Sequence, residues 1–313
     1  MEIIKKYKNK TKKQSGMKRM RNGEKRDGWL FILPLVLSTT IFFIGPLLVA
    51  FMLSFKQYSF LDSTSMFGAK WVGISNYTHA FKDPTFIRAL QNVFVYAAGV
   101  VPAQLIIALL LALIVNGKIK GKGFFRTAYY IPTITSTVAV SIMFLFIFKT
   151  DGLFNNFIAV FGAKPILFFG NINLALPTIM TMAVWSSVGL YMVIFLAGLQ
   201  DIPLSLYEAA AIDGANKNQT FRYVTLPLLK QVVFFNLIVS IIGCLQMYDQ
   251  SYVVSGGTGG PLDSTMTVVL YLVRTGFRNF DMGYACAMAF ILFIIIFVLA
   301  MVQKKLFGEE TTM

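Results

Sequence analysis

Few side chains in this sequence could catalyse a reaction or bind a metal ion. The 313 residues include one His and two Cys, and Cys244 and Cys286 stand in apolar stretches without the paired spacing of a zinc site or a disulfide framework. A membrane enzyme needs a nucleophile, a metal cluster or an acid–base pair, and His79 in a predicted loop supplies none of these alone. We therefore expect no catalytic residue, no metal site and no cofactor bound by this chain.

A small set of polar and aromatic residues could line a path for a solute. In one predicted helix, four residues follow spacings of four, three and four, so they share one face. Such a face either packs helices together within a membrane or lines a solute path. Two aromatic residues of another apolar stretch allow the same two interpretations. The residues concerned are Trp185, Tyr191, Asn236, Ser240, Gly243 and Met247.

The segment 201–227 has the composition of two short helices joined by a turn. Pro203 suits the first turn of a helix, and residues 204–212 are good helix formers. Gly214 then supplies a stop or turn, and residues 216–223 can form a second short helix.

Two such helices at an angle would form an exposed knob. The surface formed by Ala209, Ala210 and Ala211 is narrow enough for a partner to approach closely, and Glu208 supplies a charge to orient it. An amphipathic loop lying on the membrane is the alternative, and these residues alone leave both interpretations open.

Composition indicates that all these residues belong to a membrane protein. Hydrophobic residues make up 56% of the chain and charged residues 13%, whereas a soluble domain carries about 25% charged residues. A membrane-spanning helix needs about 20 mostly apolar residues, and six segments meet that condition. We predict an all-α polytopic membrane protein with spans near residues 29–55, 90–115, 127–148, 174–199, 224–247 and 282–302.

The net charge of +14 is concentrated near the start of the chain. Residues 1–28 hold 11 of the 28 Lys and Arg, which predicts a basic cytoplasmic tail that contacts anionic lipid; a nucleic-acid arm is the alternative. With this tail inside, cytoplasmic segments hold 20 Lys and Arg and external segments hold 8. The positive-inside rule therefore places both termini in the cytoplasm, including a C-terminal tail at 304–313.

The predicted spans lack the charged groups that secondary transport normally uses. Lys230, near the cytoplasmic end of the span 224–247, is the one ionisable residue among Asp, Glu, Lys, Arg and His in these six segments. Proton- or sodium-driven carriers usually place ionisable groups or broken helices near the midplane. We therefore expect the energy source to lie in another polypeptide, with a self-contained secondary carrier or channel as the alternative.

The segment 201–227 also resembles a known family motif. Residues 208–210 (Glu-Ala-Ala), Gly214 three residues later, and 224–227 (Val-Thr-Leu-Pro) nine residues after that resemble the EAA loop of binding-protein-dependent ABC importer permeases. The family pattern is E-A-A-x3-G-x9-I-x-L-P, and only Val224 in place of Ile departs from it. In that family the loop forms coupling helices that dock in a cleft of an ATP-hydrolysing subunit. The resemblance implies coupling contacts by Glu208, Ala209, Ala210, Asp213 and Gly214.

The resemblance covers nearly the whole chain after residue 28. WLFILPLVLSTTIFFIGPLLVAFMLSF, FFRTAYYIPTITSTVAV and FLAGLQDIPLSLYEAAAIDGA are similar to carbohydrate-importer permeases of the maltose and glycerol-phosphate group. This implies a six-span type I ABC importer permease fold over residues 29–303, in a bacterial cytoplasmic membrane. It also implies a second permease, two ATPase subunits that bind ATP and Mg, and an extracytoplasmic solute-binding protein. The assembly would import a carbohydrate by alternating access.

Overall fold

The computed structural model describes residues 28–61, 65–117 and 120–307. The chain divides into two compact units, Met1–Leu53 and Ser54–Met313. The predicted N-terminal tail lies outside the described residues apart from Gly28, and the predicted C-terminal tail is described only as far as Phe307.

A single apolar helix makes up the described part of the first unit. This helix, α1, runs over Gly28–Ser54, ending one residue into the second unit, and agrees with the first predicted span. It contains a turn of π-helix at Thr40–Ile44 shortly before Pro46. Proline has no backbone N–H to donate to the preceding turn, and a π-helical turn is one way in which a helix accommodates such an interruption.

The second unit contains a small antiparallel ribbon and a series of helices. The ribbon pairs β1 (Lys56–Gln57) with β2 (Lys70–Trp71). Its described helices are α2 (Ser75–Ala80), α3 (Pro84–Asn116), α4 (Lys122–Ile134), α5 (Thr137–Phe148), α6 (Leu153–Ala159), α7 (Ala175–Gln200), α8 (Leu204–Ile212), α9 (Lys217–Thr220), α10 (Leu226–Leu228), α11 (Lys230–Leu245), α12 (Asp249–Ser255), α13 (Val268–Val273) and α14 (Met282–Phe307). Turns of π-helix lie at Phe221–Thr225 and Arg274–Arg278. His79, predicted in a loop, lies in α2.

Six helical stretches of the described residues are long and apolar enough to cross a membrane, which agrees with the predicted number. They are Gly28–Ser54, Pro84–Asn116, Thr137–Ala159, Ala175–Gln200, Lys230–Ser255 and Met282–Leu306. The all-α prediction is therefore confirmed, and four of the six spans lie close to their predicted positions.

The third span differs most from its predicted limits of 127–148. Helix α4 ends at Ile134, and Thr135 has the extended backbone angles φ −76° and ψ 142° before α5 begins. Pro132 in the last turn of α4 lacks a backbone donor, which favours a helix end close by. The single continuous helix expected here is therefore two helices, and α4 carries Lys122 and Arg126 near its start.

The fifth span is also displaced from its predicted limits of 224–247. Continuous helix begins only at Lys230, after Pro227 and a π-helical turn, and α11 ends at Leu245. A short break separates α11 from α12, so the apolar stretch extends to Ser255. The hydropathy pattern located this span but not its interruption.

The helices of the second unit pack most extensively along α3 and α7. Gly189 of α7 lies against the backbone of α4. The approach is so close that a Cβ at position 189 would stand 1.9 Å from the carbonyl oxygen of Tyr129. Gly99 of α3 similarly lies close to Met180 of α7, since a Cβ at position 99 would stand 2.9 Å from the sulfur of Met180. Small residues of this kind allow close helix approach in lipid, where burial of apolar surface gives little driving force. The polar residues described next lie between these packed helices.

Candidate solute path and coupling surface

A small polar cavity lies among α3, α7 and α11. Its volume is about 150 Å³. Hydroxyl, amide and sulfur-bearing side chains from three membrane spans converge on it, and the described residues that line it include no Asp, Glu, Lys or Arg. The lining residues are Tyr96, Val100, Gln104, Ala183, Ser186, Ser187, Tyr191, Ser240, Gly243, Cys244, Met247 and Gln250.

Four of the six residues predicted for a solute path line this cavity. Tyr191 contributes from α7, Ser240 and Gly243 from α11, and Met247 from the break that follows α11. The predicted helical face therefore points at the cavity over most of its length.

The two remaining predicted residues lie elsewhere. Asn236 is fully buried one turn before Ser240, and neither atom of its side-chain amide has a hydrogen-bond partner among the described residues. Trp185 is 44% exposed and lines a separate apolar groove. Its ring lies 5.7 Å from that of Phe144.

The hydrogen bonds that organise the cavity involve two residues that sequence reasoning missed. Gln104 is 2% exposed, and its Nε2 donates to the Oγ of Ser240. The Oγ of Ser187 donates to the Oε1 of Gln104. The signal in the sequence was Gln104 itself, a lone amide within the apolar run VVPAQLIIALLL. Its partners are 83 and 136 residues away, beyond the reach of any local pattern.

The segment 201–227 folds as the two short helices that the sequence predicts. Helix α8 begins after Pro203 and ends before Asp213, and Gly214 has a left-handed φ of 76°. The N–H of Ala215 donates to the carbonyl of Ala210 at 2.9 Å, and that of Gly214 to Ala211 at 3.2 Å. This is the Schellman arrangement, in which the left-handed residue satisfies the last carbonyls of a helix.

A reciprocal cap begins the second helix of this segment. The side chain of Asn216 accepts from the N–H of Gln219 at 3.0 Å, and the side chain of Gln219 accepts from the N–H of Asn216 at 2.8 Å. Tyr207 of α8 also hydrogen-bonds to Thr225 at 3.2 Å, linking α8 to the π-helical turn. These contacts give the segment a defined shape despite its exposure.

The surface of α8 and the turn that follows is open to a partner. Glu208, Ala209, Asp213 and Gly214 are exposed, and Ala210 is half-buried. Three large apolar side chains of the same segment are unusually exposed, with exposed fractions of 76%, 86% and 78% for Leu204, Ile212 and Tyr223. Exposed apolar surface beside charged residues is typical of a protein–protein contact.

The carboxylate of Asp83 joins the start of α3 to two other helices, α13 and α14. Asp83 caps α3 by accepting from the N–H of Thr85 at 2.9 Å, and it accepts from the hydroxyls of Tyr271 and Tyr284 at 2.6 and 2.7 Å. Burial acts to raise the pKa of Asp83, but these hydrogen bonds outweigh burial and hold it below its usual 3.8. Burial, followed by the bond to Asp83, raises the pKa of Tyr271.

A known family and its members match this chain. The family model described as "Binding-protein-dependent transport system inner membrane component" matches residues 104–307. The probable ABC transporter permease protein YesP of Bacillus subtilis (strain 168) is 37% identical, with 89% of each chain covered. The arabinooligosaccharides transport system permease protein AraP of the same strain is 36% identical, covering 95% of this chain and 93% of AraP. The lactose transport system permease protein LacF of Rhizobium radiobacter is 35% identical, covering 88% of this chain and 92% of LacF.

A solved structure has a similar fold. A chain from the crystal structure of a bacterial alginate ABC transporter, in complex with alginate pentasaccharide-bound periplasmic protein, matches with a TM-score of 0.81 and 22% identity. The match covers 94% of this chain and 99% of that chain. The chain described here is therefore a multi-pass membrane protein with the type I ABC importer permease fold, and it belongs to the family of binding-protein-dependent transport system inner membrane components.

Proposed function

We propose that this chain forms half of the path by which an ATP-driven importer moves a neutral carbohydrate across the bacterial cytoplasmic membrane. The cavity among α3, α7 and α11 is the observation that carries this proposal. Its lining offers hydroxyl and amide groups, two tyrosine rings and no charged side chain among the described residues. A neutral sugar presents hydroxyls that both donate and accept, so uncharged polar partners suit it. The names of AraP and LacF, which refer to sugars, support the same class of substrate.

The exposed surface of α8 and Gly214 is the proposed docking site for an ATPase subunit. Glu208, Ala209, Ala210, Asp213 and Gly214 would contact that subunit, and the exposed Leu204 and Ile212 would be covered by it. The Schellman turn at Gly214 and the cap at Asn216 support this role, because a coupling element must transmit force without unfolding. ATP and Mg would bind the partner subunit, and this chain would catalyse no covalent reaction.

The charge distribution supports the orientation of this surface. The basic segments of the sequence predict that both termini and α8 lie in the cytoplasm, where ATP is available. Asp83 and the helices around it would then face the outside, where a solute-binding protein delivers its ligand. A second permease would complete the path, and two ATPase subunits would complete the assembly.

A paired substitution in the coupling surface tests the proposal. Glu208→Lys with Gly214→Asp is expected to abolish ATP-dependent uptake and co-purification of the ATPase subunit. A matched control is Asp151→Lys with Gly162→Asp, since Asp151 is exposed and Gly162 has a comparable φ of 79° outside this surface. If the Glu208 and Gly214 variant keeps both uptake and ATPase binding, the coupling assignment is wrong.

A second measurement separates the proposal from the self-contained carrier. The isolated chain, reconstituted without partner subunits, is expected to show no sugar uptake. Uptake by the isolated chain would identify it as a secondary carrier or channel and would overturn the proposal.

A further inference from the structure

A large groove of the second unit lies among α3, α4 and α7, apart from the polar cavity. Its volume is about 980 Å³, and its lining is almost entirely apolar. The lining residues are Gly99, Ala103, Ile107, Leu111, Phe124, Phe125, Ala128, Tyr129, Pro132, Pro177, Met180, Thr181, Val184, Trp185 and Val188.

The length of this groove corresponds to one leaflet of a bilayer. Along α3 it extends from Gly99 to Leu111, which is about 18 Å at 1.5 Å per residue. One leaflet contributes about 15 Å of hydrocarbon, half of the 30 Å core. The groove therefore has the length and the apolar surface to hold the acyl chains of a lipid.

Two lining residues near the start of α4, Phe124 and Phe125, stand between two cations, Lys122 and Arg126, that have no anionic partner among the described residues. Lys122 lies three residues before the lining residue Phe125, and its Nζ donates at 3.2 Å to the neutral carbonyl of Asn116. Arg126 follows on the same helix, and its Nε is shielded from solvent without a hydrogen-bond partner among the described residues. No described carboxylate forms an ion pair with either cation.

A buried donor on a cation is costly unless an acceptor, preferably an anion, satisfies it. Residues 116–126 contain no Asp or Glu that could provide one. Lys122 contacts the carbonyl of Asn116, the last residue of the span Pro84–Asn116, so the phosphate of a phospholipid is an anion at the appropriate depth. Basic pockets between membrane-spanning helices bind anionic head groups. Arginine is suited to this contact because its planar group can donate two parallel hydrogen bonds to a phosphate.

We infer that the groove among α3, α4 and α7 is a binding site for an anionic phospholipid. The acyl chains lie along the apolar lining, and the head group lies at Lys122 and Arg126. Phe124 and Phe125, whose rings stand 5.8 Å apart, flank the head-group end. A protein helix would also cover the apolar lining, but it would satisfy the two cations only with an acidic side chain placed at Lys122 and Arg126. An anionic phospholipid carries its phosphate at the end of its acyl chains, so the paired cations favour the lipid.

Native mass spectrometry of the full transporter complex tests this site. The complex is purified in mild detergent and incubated separately with phosphatidylglycerol and with phosphatidylcholine. We expect retention of phosphatidylglycerol, and a loss of at least about tenfold in its apparent affinity for Lys122→Gln with Arg126→Gln, since each basic residue near a lipid surface contributes roughly a fivefold factor. Lys304→Gln with Lys305→Gln, at the end of α14, removes the same charge away from the groove and should retain the lipid.

Two further measurements keep the inference testable if the double variant folds poorly. Ala128→Trp, which fills the exposed part of the groove from α4, is expected to reduce retention of phosphatidylglycerol while the cations remain in place. A photo-crosslinking amino acid at position 128 should label lipid in cells. Equal retention of the two lipids by the wild-type complex, or crosslinking of position 128 to a partner protein, would overturn the lipid site.

Discussion

Gln104 of α3 donates a hydrogen bond from its Nε2 to the Oγ of Ser240 in α11. The same side chain accepts from Ser187 of α7, so one amide joins three membrane spans at a single buried point. Both atoms of the amide are satisfied, whereas Asn236, one turn from Ser240, satisfies neither with a described residue. The contrast indicates that Gln104 holds these three spans together, whereas the side chain of Asn236 contributes no hydrogen bond among the described residues.

Replacing Gln104 by Met is expected to lower the stability of the protein. The side chain keeps its volume, but the hydrogen bonds that join Gln104 to Ser187 and to Ser240 are lost, and Ser187 keeps only its bond to the carbonyl of Ala183 in its own helix. Hydrogen bonds between membrane helices contribute about 0.6 to 1.7 kcal/mol each, so the loss should be about 1–3 kcal/mol. Thermal unfolding in detergent measures it. The control Gln246→Met makes the same change at an exposed position, and equal melting temperatures for the two variants would contradict the structural role of Gln104.

Gly189→Ala is expected to be strongly destabilising. A Cβ here would stand 1.9 Å from the carbonyl oxygen of Tyr129 and 3.0 Å from the Cα of Tyr130, so α4 and α7 would have to separate. Overpacking of this kind costs about 1–3 kcal/mol. Gly243→Ala in α11 is the matched control, because a Cβ there meets nothing within 4 Å. Unfolding measured on both variants should show a loss only at Gly189, and a similar loss at Gly243 would refute the close packing.

Much of this fold could be predicted because membrane spans and short helical motifs are local. About twenty apolar residues predict a membrane span whatever its neighbours in the fold are. Pro203 and Gly214 likewise determine the ends of α8 through their own backbone preferences. The break at Thr135 and the start of continuous helix at Lys230 were missed, because hydropathy does not report interruptions within an apolar stretch. The pairing of Gln104 with Ser240 depends on packing between distant spans, so no spacing rule could find it.

The carboxylate of Asp83 should make stability depend on pH in acid. Its pKa is lowered in the folded protein, because the hydrogen bonds from Tyr271, Tyr284 and the start of α3 outweigh the effect of burial. A lowered pKa means that the stabilisation is present above the unfolded value of 3.8 and is lost as pH falls from there through the folded value.

Unfolding measured between pH 6 and pH 2 in detergent tests this dependence. Asp83→Asn is the informative variant, because Asn also caps a helix but has no proton to gain in this range. The wild-type protein should lose more stability than the variant as pH falls below about 4. Parallel curves for the two proteins would show that another group determines the acid response.

Substitutions of Gly214 should separate backbone shape from side-chain chemistry in the coupling surface. With φ at 76°, this position accepts Gly or Asn readily but strains a β-branched residue. Gly214→Val should therefore disrupt the Schellman turn, and with it ATPase binding and uptake, whereas Gly214→Asn should retain most of both. Gly123→Val, in α4 where a Cβ has open space, controls for the added side chain. Co-purification of the ATPase subunit and ATP-dependent uptake provide the readout. If Gly214→Val and Gly214→Asn impair coupling equally, the surface depends on the absence of any side chain at Gly214 and not on the left-handed turn.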